Sequence, residues 1–381
     1  MKKMLLGLST SIVAAVGVAN ALPVVSSGKI APIYEVEPRI VSIDDGNGVV
    51  PGSTNIFGQE ITSIAGNTFT EGPHFVPTEY TGVGQLIIPT QQGTFACTGS
   101  RIGPTQILTA AHCITDFNGD VSIVGGDIRF INAAGDVQLF TLKQATQDNV
   151  HPNWNGNVGD GWDYAVLEMQ TAPGADIETY GLYSEMDEFF QTYTRIGFGG
   201  LGTGNGGATG ELGFKLKGQG LWEATYSIVD DVLSTISAPP TAAPETILLS
   251  DFDNGTSAAN SFENKDLYLL SEGIVTENSG MFTDLGIPVL ESNSAGGDSG
   301  GPGFIDGKIA GITSLGLAWG GFFGDIDGTL NSSFGEFAGD ARVSMGLPFI
   351  ESFLTPIPVP GAVWFFASAL AGGGILRRRR A

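Results

Sequence analysis

The glycines constrain this chain more than any other feature of its sequence. There are 57 of them among 381 residues, and they separate short apolar runs. Gln85-Leu86-Ile87-Ile88, Gln106-Ile107-Leu108-Thr109, Val137 to Leu142 and Tyr164-Ala165-Val166-Leu167 are examples. Such runs recur at short intervals as far as Lys308-Ile309-Ala310-Gly311-Ile312-Thr313. Short runs bounded by Gly, Asn, Asp, Thr and Ser read as strands joined by turns. A barrel or sandwich is therefore predicted rather than a helical protein. With 42% hydrophobic and only 15% charged residues, the chain has enough apolar material for a sizeable core and is not a disordered polymer.

The two ends differ from this body. Lys2 and Lys3, the apolar stretch Met4 to Val18 and the small-x-small triplet Ala19-Asn20-Ala21 read as a secretory signal over residues 1–21. Residues 22–80 are rich in Pro, Gly, Ser and Asn and read as a propeptide or N-terminal extension. Dense strand signals then run through a domain expected over 81–355. Between Gly197 and about Leu290 the spacing loosens, with a glycine-rich run and a Pro/Ala run, which predicts enlarged surface loops. A short helix is expected at Pro348 to Leu354, with proline in its first turn.

Residues 356–381 form a separate device: a Pro-rich spacer, sixteen apolar residues from Gly361 to Leu376, and Arg377 to Arg380. It resembles the C-terminal sorting signals of the PEP-CTERM type, with Pro358-Val359-Pro360-Gly361-Ala362 in the motif position. The apolar run is short of the ~20 residues of a membrane span, and the arginines would hold that end on the cytoplasmic side. Such a signal implies a transient membrane segment and a sorting transpeptidase as partner. A permanent anchor is the other reading.

Net charge is −23, and the basic ends mask a more acidic middle. Lys2, Lys3 and Arg377 to Arg380 supply 6 of the 17 basic residues, leaving 11 against 40 acids in the body. That surface repels nucleic acid and anionic membranes. Export would place Cys97 and Cys113 where a disulfide is the natural state.

Hydrolysis of an amide by serine needs a hydroxyl, a base, a carboxylate that orients the base, and donors for the oxyanion. Gly296-Gly297-Asp298-Ser299-Gly300-Gly301-Pro302 sets a serine among glycines, where the backbone turns sharply and a substrate can approach. Thr109-Ala110-Ala111-His112-Cys113 puts a histidine directly after a strand, and Trp162-Asp163-Tyr164-Ala165-Val166-Leu167 puts a carboxylate at the entry of another. Asp160 rivals Asp163 for that role. His74 and His151 lack such settings and read as solvated loop residues. Asp251-Phe252-Asp253-Asn254-Gly255 departs from a calcium-loop pattern after its second acid and reads as a polar turn. No metal site and no cofactor is expected.

The three segments resemble the signature blocks of the chymotrypsin/trypsin-like serine protease family. Val150-His151-Pro152-Asn153-Trp154-Asn155, Ile196-Gly197-Phe198-Gly199 and Arg342-Val343-Ser344 add to the resemblance, which covers roughly residues 82–354. It implies an all-β fold of two six-stranded antiparallel barrels and a Cys97–Cys113 disulfide. It also implies Ser299 as nucleophile, His112 as base and then acid, Asp163 as the group fixing the imidazole, and Gly297 and Ser299 amides as the oxyanion hole. In the family the acid matching Asp298 binds a freshly cut N-terminal amine, and Arg39-Ile40-Val41 resembles such a cut site. Asn293 would lie at the base of the specificity pocket, with Ser314-Leu315-Gly316 along its wall. A neutral amide there implies preference for uncharged side chains.

Gly297-Asp298-Ser299-Gly300-Gly301 also fits the nucleophile elbow of α/β-hydrolases, but that fold needs a histidine after the serine, and all three histidines precede Ser299. The expected activity is that of an exported serine endopeptidase acting on peptides or proteins. The alternative is an inactive, protease-like surface binding protein.

Overall fold

The computed structural model describes residues 74–354, except 91–92, 124, 209–213, 236–239, 277–278 and 288–290, together with the backbone of 35–37 and 40–42. The leader expected over residues 1–21, most of the expected N-terminal extension and the sorting signal expected over 356–381 lie outside the described residues. Among the described residues no helix is long and apolar enough to cross a membrane.

Two short strands come first, β1 (Glu35–Glu37) and β2 (Ile40–Ser42). Six strands then form one sheet: β3 (Val83–Thr90), β4 (Gly93–Arg101), β5 (Gln106–Thr109), β6 (Asp127–Ile131), β7 (Val137–Thr141) and β8 (Ala165–Glu168). Their order is β7-β6-β3-β4-β5-β8, antiparallel throughout. Val83, Leu86, Ile88, Ile107, Leu108, Ile128, Phe130 and Val166, all buried, belong to one hydrophobic core packed around it.

The second half begins with β9 (Thr192–Gly197), the small hairpin β10 (Gly202–Thr203) and β11 (Gly207–Ala208), and β12 (Leu216–Leu221). It continues through β13 (Ala224–Thr225), β14 (Ile247–Asp251), β15 (Ser292–Ser294), β16 (Pro302–Ile305), β17 (Lys308–Ala318) and β18 (Phe337–Arg342). The sheet order is β12-β9-β16-β17-β18-β14-β13, with β1 added on β17. Two curled antiparallel sheets thus form the protein, as the strand signals and the resemblance implied, and the second carries more strands than six.

The expectation of surface loops between Gly197 and Leu290 fails. That stretch supplies β12, β13, β14, α1 (Ser227–Ser234) and α2 (Ser261–Ser271), and it buries Trp222, Tyr226, Leu249, Phe262 and Leu269. Glycine there means close packing as well as turns: a Cβ on Gly220 would come within 2.5 Å of the Tyr193 hydroxyl. Trp222 stacks on Tyr193 with ring centroids 4.0 Å apart. A Cβ on Gly303 or Gly311 would come within 2.8 or 2.6 Å of the Trp222 indole. The indole therefore lies flat against backbone that no larger residue could vacate.

The closing helix α3 runs over Val343–Ser352, earlier than expected, with Pro348 inside it. Proline lacks the N–H that would bond back one turn. Burial of Val343, Gly346 and Ile350 against the first sheet's core, each residue under 9% exposed, outweighs that loss. Gly346 lies close over the Tyr164 ring, whose hydroxyl donates to the Arg342 carbonyl at 2.6 Å.

Candidate active site

β5 ends at Thr109, and the chain turns at once into a single 3₁₀ turn, Ala111–Cys113, that carries His112. Cys113 is disulfide-bonded to Cys97 on β4, so the turn is fastened to the neighbouring strand. A cross-link closing a loop of this length contributes about 3 kcal/mol by restricting the unfolded chain. Asp163 sits just ahead of β8, the strand paired with β5, which brings it beside that turn.

Asp163 is buried and takes three donors. His112 Nδ1 lies 2.6 Å from Oδ2, the Ser314 hydroxyl donates to the same oxygen at 2.6 Å, and the His112 backbone N–H donates to Oδ1 at 2.9 Å. An ionised carboxylate only accepts, so the proton in the first contact belongs to Nδ1, and Nε2 carries the lone pair. Nε2 has no hydrogen-bond partner among the described residues. Such an imidazole is oriented, in one tautomer, with its basic nitrogen open.

Asp160, the rival carboxylate, serves its own loop: its Oδ2 accepts from the side-chain amides of Asn155 and Asn157 at 2.9 and 3.1 Å.

Ser299 lies on a turn held from both sheets. Asp298 N–H donates to Ala295, Gly301 N–H to Asp298 and Gly300 N–H to Thr313 of β17, so the turn's own bonds use the amides of residues 298, 300 and 301. Gly297 (φ +105°) and Gly300 (φ +82°) occupy the left-handed region that a side chain resists. From β4, Thr98 N–H donates to the Ser299 carbonyl at 2.8 Å, and the Thr98 hydroxyl donates to the Gly297 carbonyl at 2.9 Å. Cys113 Sγ touches the Ser299 carbonyl oxygen at 3.5 Å. A disulfide sulfur has no proton to give, so this is a packing contact. It brings the neighbour of His112 against the serine's own backbone.

Asp298 is fully buried. Its Oδ1 accepts the Gly199 N–H at 2.8 Å, while Oδ2 has no partner among the described residues. Burial pushes this carboxyl well above its ordinary range, and the Gly199 N–H and the Arg195 guanidinium oppose that only in part.

Asn293 is buried, and its side-chain oxygen accepts the Ser294 N–H at 2.7 Å. Leu315 is buried in the second sheet's core. The Ser314 hydroxyl, expected along a pocket wall, is engaged with Asp163. That contact spans 151 residues of sequence, and no local pattern announces it.

β2 pairs with β15, Val41 opposite Asn293 and Ile40 opposite Ser294. β1 pairs with β17, Glu37 opposite Gly316. Both flanks of the Arg39-Ile40 bond therefore run along the strands that carry the expected pocket residues.

His151 and His74 are not solvated: they are 8% and 1% exposed. The His151 ring stacks on Trp162 at 4.6 Å and meets Tyr164 and Phe349 edge-on, while Nδ1 accepts the Asn153 N–H at 3.2 Å. Burial pushes it down to about 4. His74 Nδ1 contacts the Lys217 carbonyl oxygen at 2.9 Å. Asp251 is no polar turn either. It closes β14 and accepts the first amides of α2, from Ser261 and Phe262, at 2.9 and 3.1 Å.

Two solved structures are similar to this chain. The structure of HL collagenase is 16% identical, with a TM-score of 0.46, covering 74% of this chain and 95% of that one. Neuropsin, a serine protease expressed in the limbic system of mouse brain, is 15% identical with a TM-score of 0.47, covering 74% and 99%. The family model described as Trypsin matches residues 77–261, a stretch that contains His112 and Asp163 and ends before Ser299. Residues 77–261 are thus similar to the Trypsin family, on a fold of two curled antiparallel sheets.

Proposed function

We propose that this protein is a serine endopeptidase that cleaves peptide bonds through Ser299, His112 and Asp163. One observation carries the reading. His112 Nδ1 is committed to buried Asp163 at 2.6 Å while Nε2 is left open, on a turn packed against the backbone of a serine between left-handed glycines.

On this reading His112 Nε2 takes the Ser299 proton as Oγ attacks the substrate carbonyl. The carbonyl oxygen becomes an oxyanion held by the Gly297 and Ser299 amides, a donor pair worth about 3 kcal/mol per member. The imidazolium, stabilised by Asp163, then returns the proton to the leaving amine, and an acyl-enzyme remains on Ser299. Water, deprotonated by the same nitrogen, releases the acid product. No cofactor enters. Neutral Asn293 offers no buried charge to Lys or Arg, so uncharged side chains are preferred.

The Cys97–Cys113 disulfide is consistent with export. Activation by a cut before Ile40 fits the pairing of both flanks with the pocket strands, and an active form beginning at Ile40 on N-terminal sequencing is the matching observation.

Purified mature protein should react covalently with a fluorophosphonate probe and cleave a peptide library, and Ser299→Ala should do neither. Undiminished cleavage by Ser299→Ala removes the assignment of the nucleophile. Absence of labelling and cleavage in the processed wild type supports the inactive, protease-like binding protein instead.

A further inference from the structure

Between Trp319 and β18 the chain runs through Asp325-Ile326-Asp327-Gly328-Thr329-Leu330-Asn331-Ser332-Ser333-Phe334-Gly335-Glu336. These are twelve residues with acids at the first, third and twelfth places. Oxygen-bearing side chains, Thr329, Asn331 and Ser333, stand at the fifth, seventh and ninth. Twelve-residue calcium loops draw their ligands from this spacing, the last acid closing the site. The structure brings the spacing together: one carboxylate oxygen from each of Asp325, Asp327 and Glu336 lies within 4.8 Å of the other two.

An independent observation points to a ligand. Asp325 is only 3% exposed, and its Oδ2 has no hydrogen-bond partner among the described residues. Its other oxygen accepts the Asp327 and Gly328 amides at 3.1 and 2.8 Å. Glu336, 1% exposed, accepts the Asn331, Ser332 and Ser333 amides. Among the described residues none of the three acids is in an ion pair. A buried carboxylate oxygen without a donor is costly, and a cation is the partner that three converging carboxylates would share.

We propose that Asp325, Asp327 and Glu336 bind a calcium ion. All-oxygen donors on a loop held by its own amides suit calcium, whose shell tolerates irregular geometry at 2.3–2.6 Å, better than magnesium, which demands a near-ideal octahedron. The loop is tied to the strands behind the catalytic turn. The Ser332 hydroxyl donates to the Ser294 carbonyl of β15 at 2.7 Å, and the Phe334 N–H donates to Gly204 at 2.7 Å. An ion here therefore stiffens the segment next to Asn293. That consequence alone rests on the proposed protease reading.

The test uses full-length mature protein carrying Ser299→Ala, so that self-digestion cannot intervene and the result does not depend on proteolysis. Chelator-treated protein is titrated with calcium chloride in a calorimeter and melted with and without the ion. One site is expected, with Kd between about 10⁻⁵ and 10⁻³ M, at least tenfold weaker magnesium binding, and a calcium-dependent rise in Tm. Asp325→Asn and Glu336→Gln should weaken binding at least tenfold. Asp327→Asn should do so as well, and because Asp327 is exposed this variant keeps the fold, checked by circular dichroism. Asp253→Asn, at a buried acid two residues past the end of β14 and not one of the three, should bind like the parent. No heat at 5 mM calcium, unchanged binding in Asp327→Asn, or loss of binding in Asp253→Asn instead would each overturn the site.

Discussion

Thr98→Val isolates what holds the catalytic turn in shape. The substitution keeps the branched outline of the side chain and exchanges one hydroxyl for a methyl, at a residue that is 0% exposed. That hydroxyl donates to the Gly297 carbonyl at 2.9 Å and accepts the Phe198 N–H at 3.2 Å. Phe198 is fully buried, and its amide, which also acts on the Asp298 carboxyl, would lose this acceptor at about the net value of one hydrogen bond, about 1 kcal/mol. The Gly297 residue is partly exposed, and its carbonyl can turn to water, so the loss there is nearer the net value of one hydrogen bond, about 1 kcal/mol. The expected destabilisation is therefore about 1–3 kcal/mol in urea unfolding, at unchanged m-value.

Function should suffer separately. On the proposed mechanism Gly297, with its carbonyl released from the Thr98 anchor, no longer holds its own N–H toward the oxyanion, and removing such a donor costs about 10²–10³ in kcat. Partial misalignment should give at least a tenfold loss in kcat with little change in KM. Thr98→Ser, which keeps the hydroxyl, should recover most of both. A Thr98→Val protein within 0.5 kcal/mol of wild type, or indistinguishable from Thr98→Ser, would refute this account of the turn.

Two further outcomes follow from the same geometry. Asp163→Asn turns an amide N–H₂ toward His112 Nδ1, which forces the proton onto Nε2. Turnover should fall by several orders of magnitude with KM preserved, and a loss under tenfold in steady-state peptide hydrolysis counts against the tautomer argument. His151, held neutral by burial with its pKa lowered to about 4, contributes stability that is fully present above pH 6.5 and is lost as pH falls toward 4. The wild-type-minus-His151→Phe difference in unfolding free energy should shrink across that window, and a flat difference would show that the ring titrates normally.

The candidate site was legible because each block is local. A histidine one turn past a strand, an acid at a strand entry and a serine between glycines are patterns a few residues long, and paired strands β5 and β8 bring two of them together. What escaped the sequence was long-range. His151, without a strand or glycine setting of its own, read as a solvated loop residue, yet Trp162, Tyr164 and Phe349 close around its ring. Glycines between Gly197 and Leu290 read as loops, because a sequence does not distinguish a glycine that turns from one, such as Gly220, that packs against the Tyr193 ring. The acid spacing from Asp325 to Glu336 was readable. Its glycines, however, stand at the fourth and eleventh places of the loop, whereas a calcium loop has its glycine at the sixth.

Asp298 joins the buried charges of the second sheet to the catalytic turn. Arg195 and Asp340 are both inaccessible, and the guanidinium donates to Asp340 Oδ2 at 2.6 Å, an oxygen that also takes the Trp222 indole N–H at 2.9 Å. The same guanidinium acts on Asp298 but does not outweigh that residue's burial, so the Asp298 carboxyl stays well above its ordinary range. On the proposed activation, a cut before Ile40 releases an α-amine on a strand that already pairs with Ser292–Ser294, a few residues upstream of Asp298. A positive charge at Asp298 Oδ2 favours the ionised carboxylate and lowers its pKa. The ion pair then fixes the residue between Gly297 and Ser299, whose amides hold the oxyanion in the proposed mechanism. Cleavage tens of residues from His112 in sequence thereby becomes an ordering of the serine's own turn.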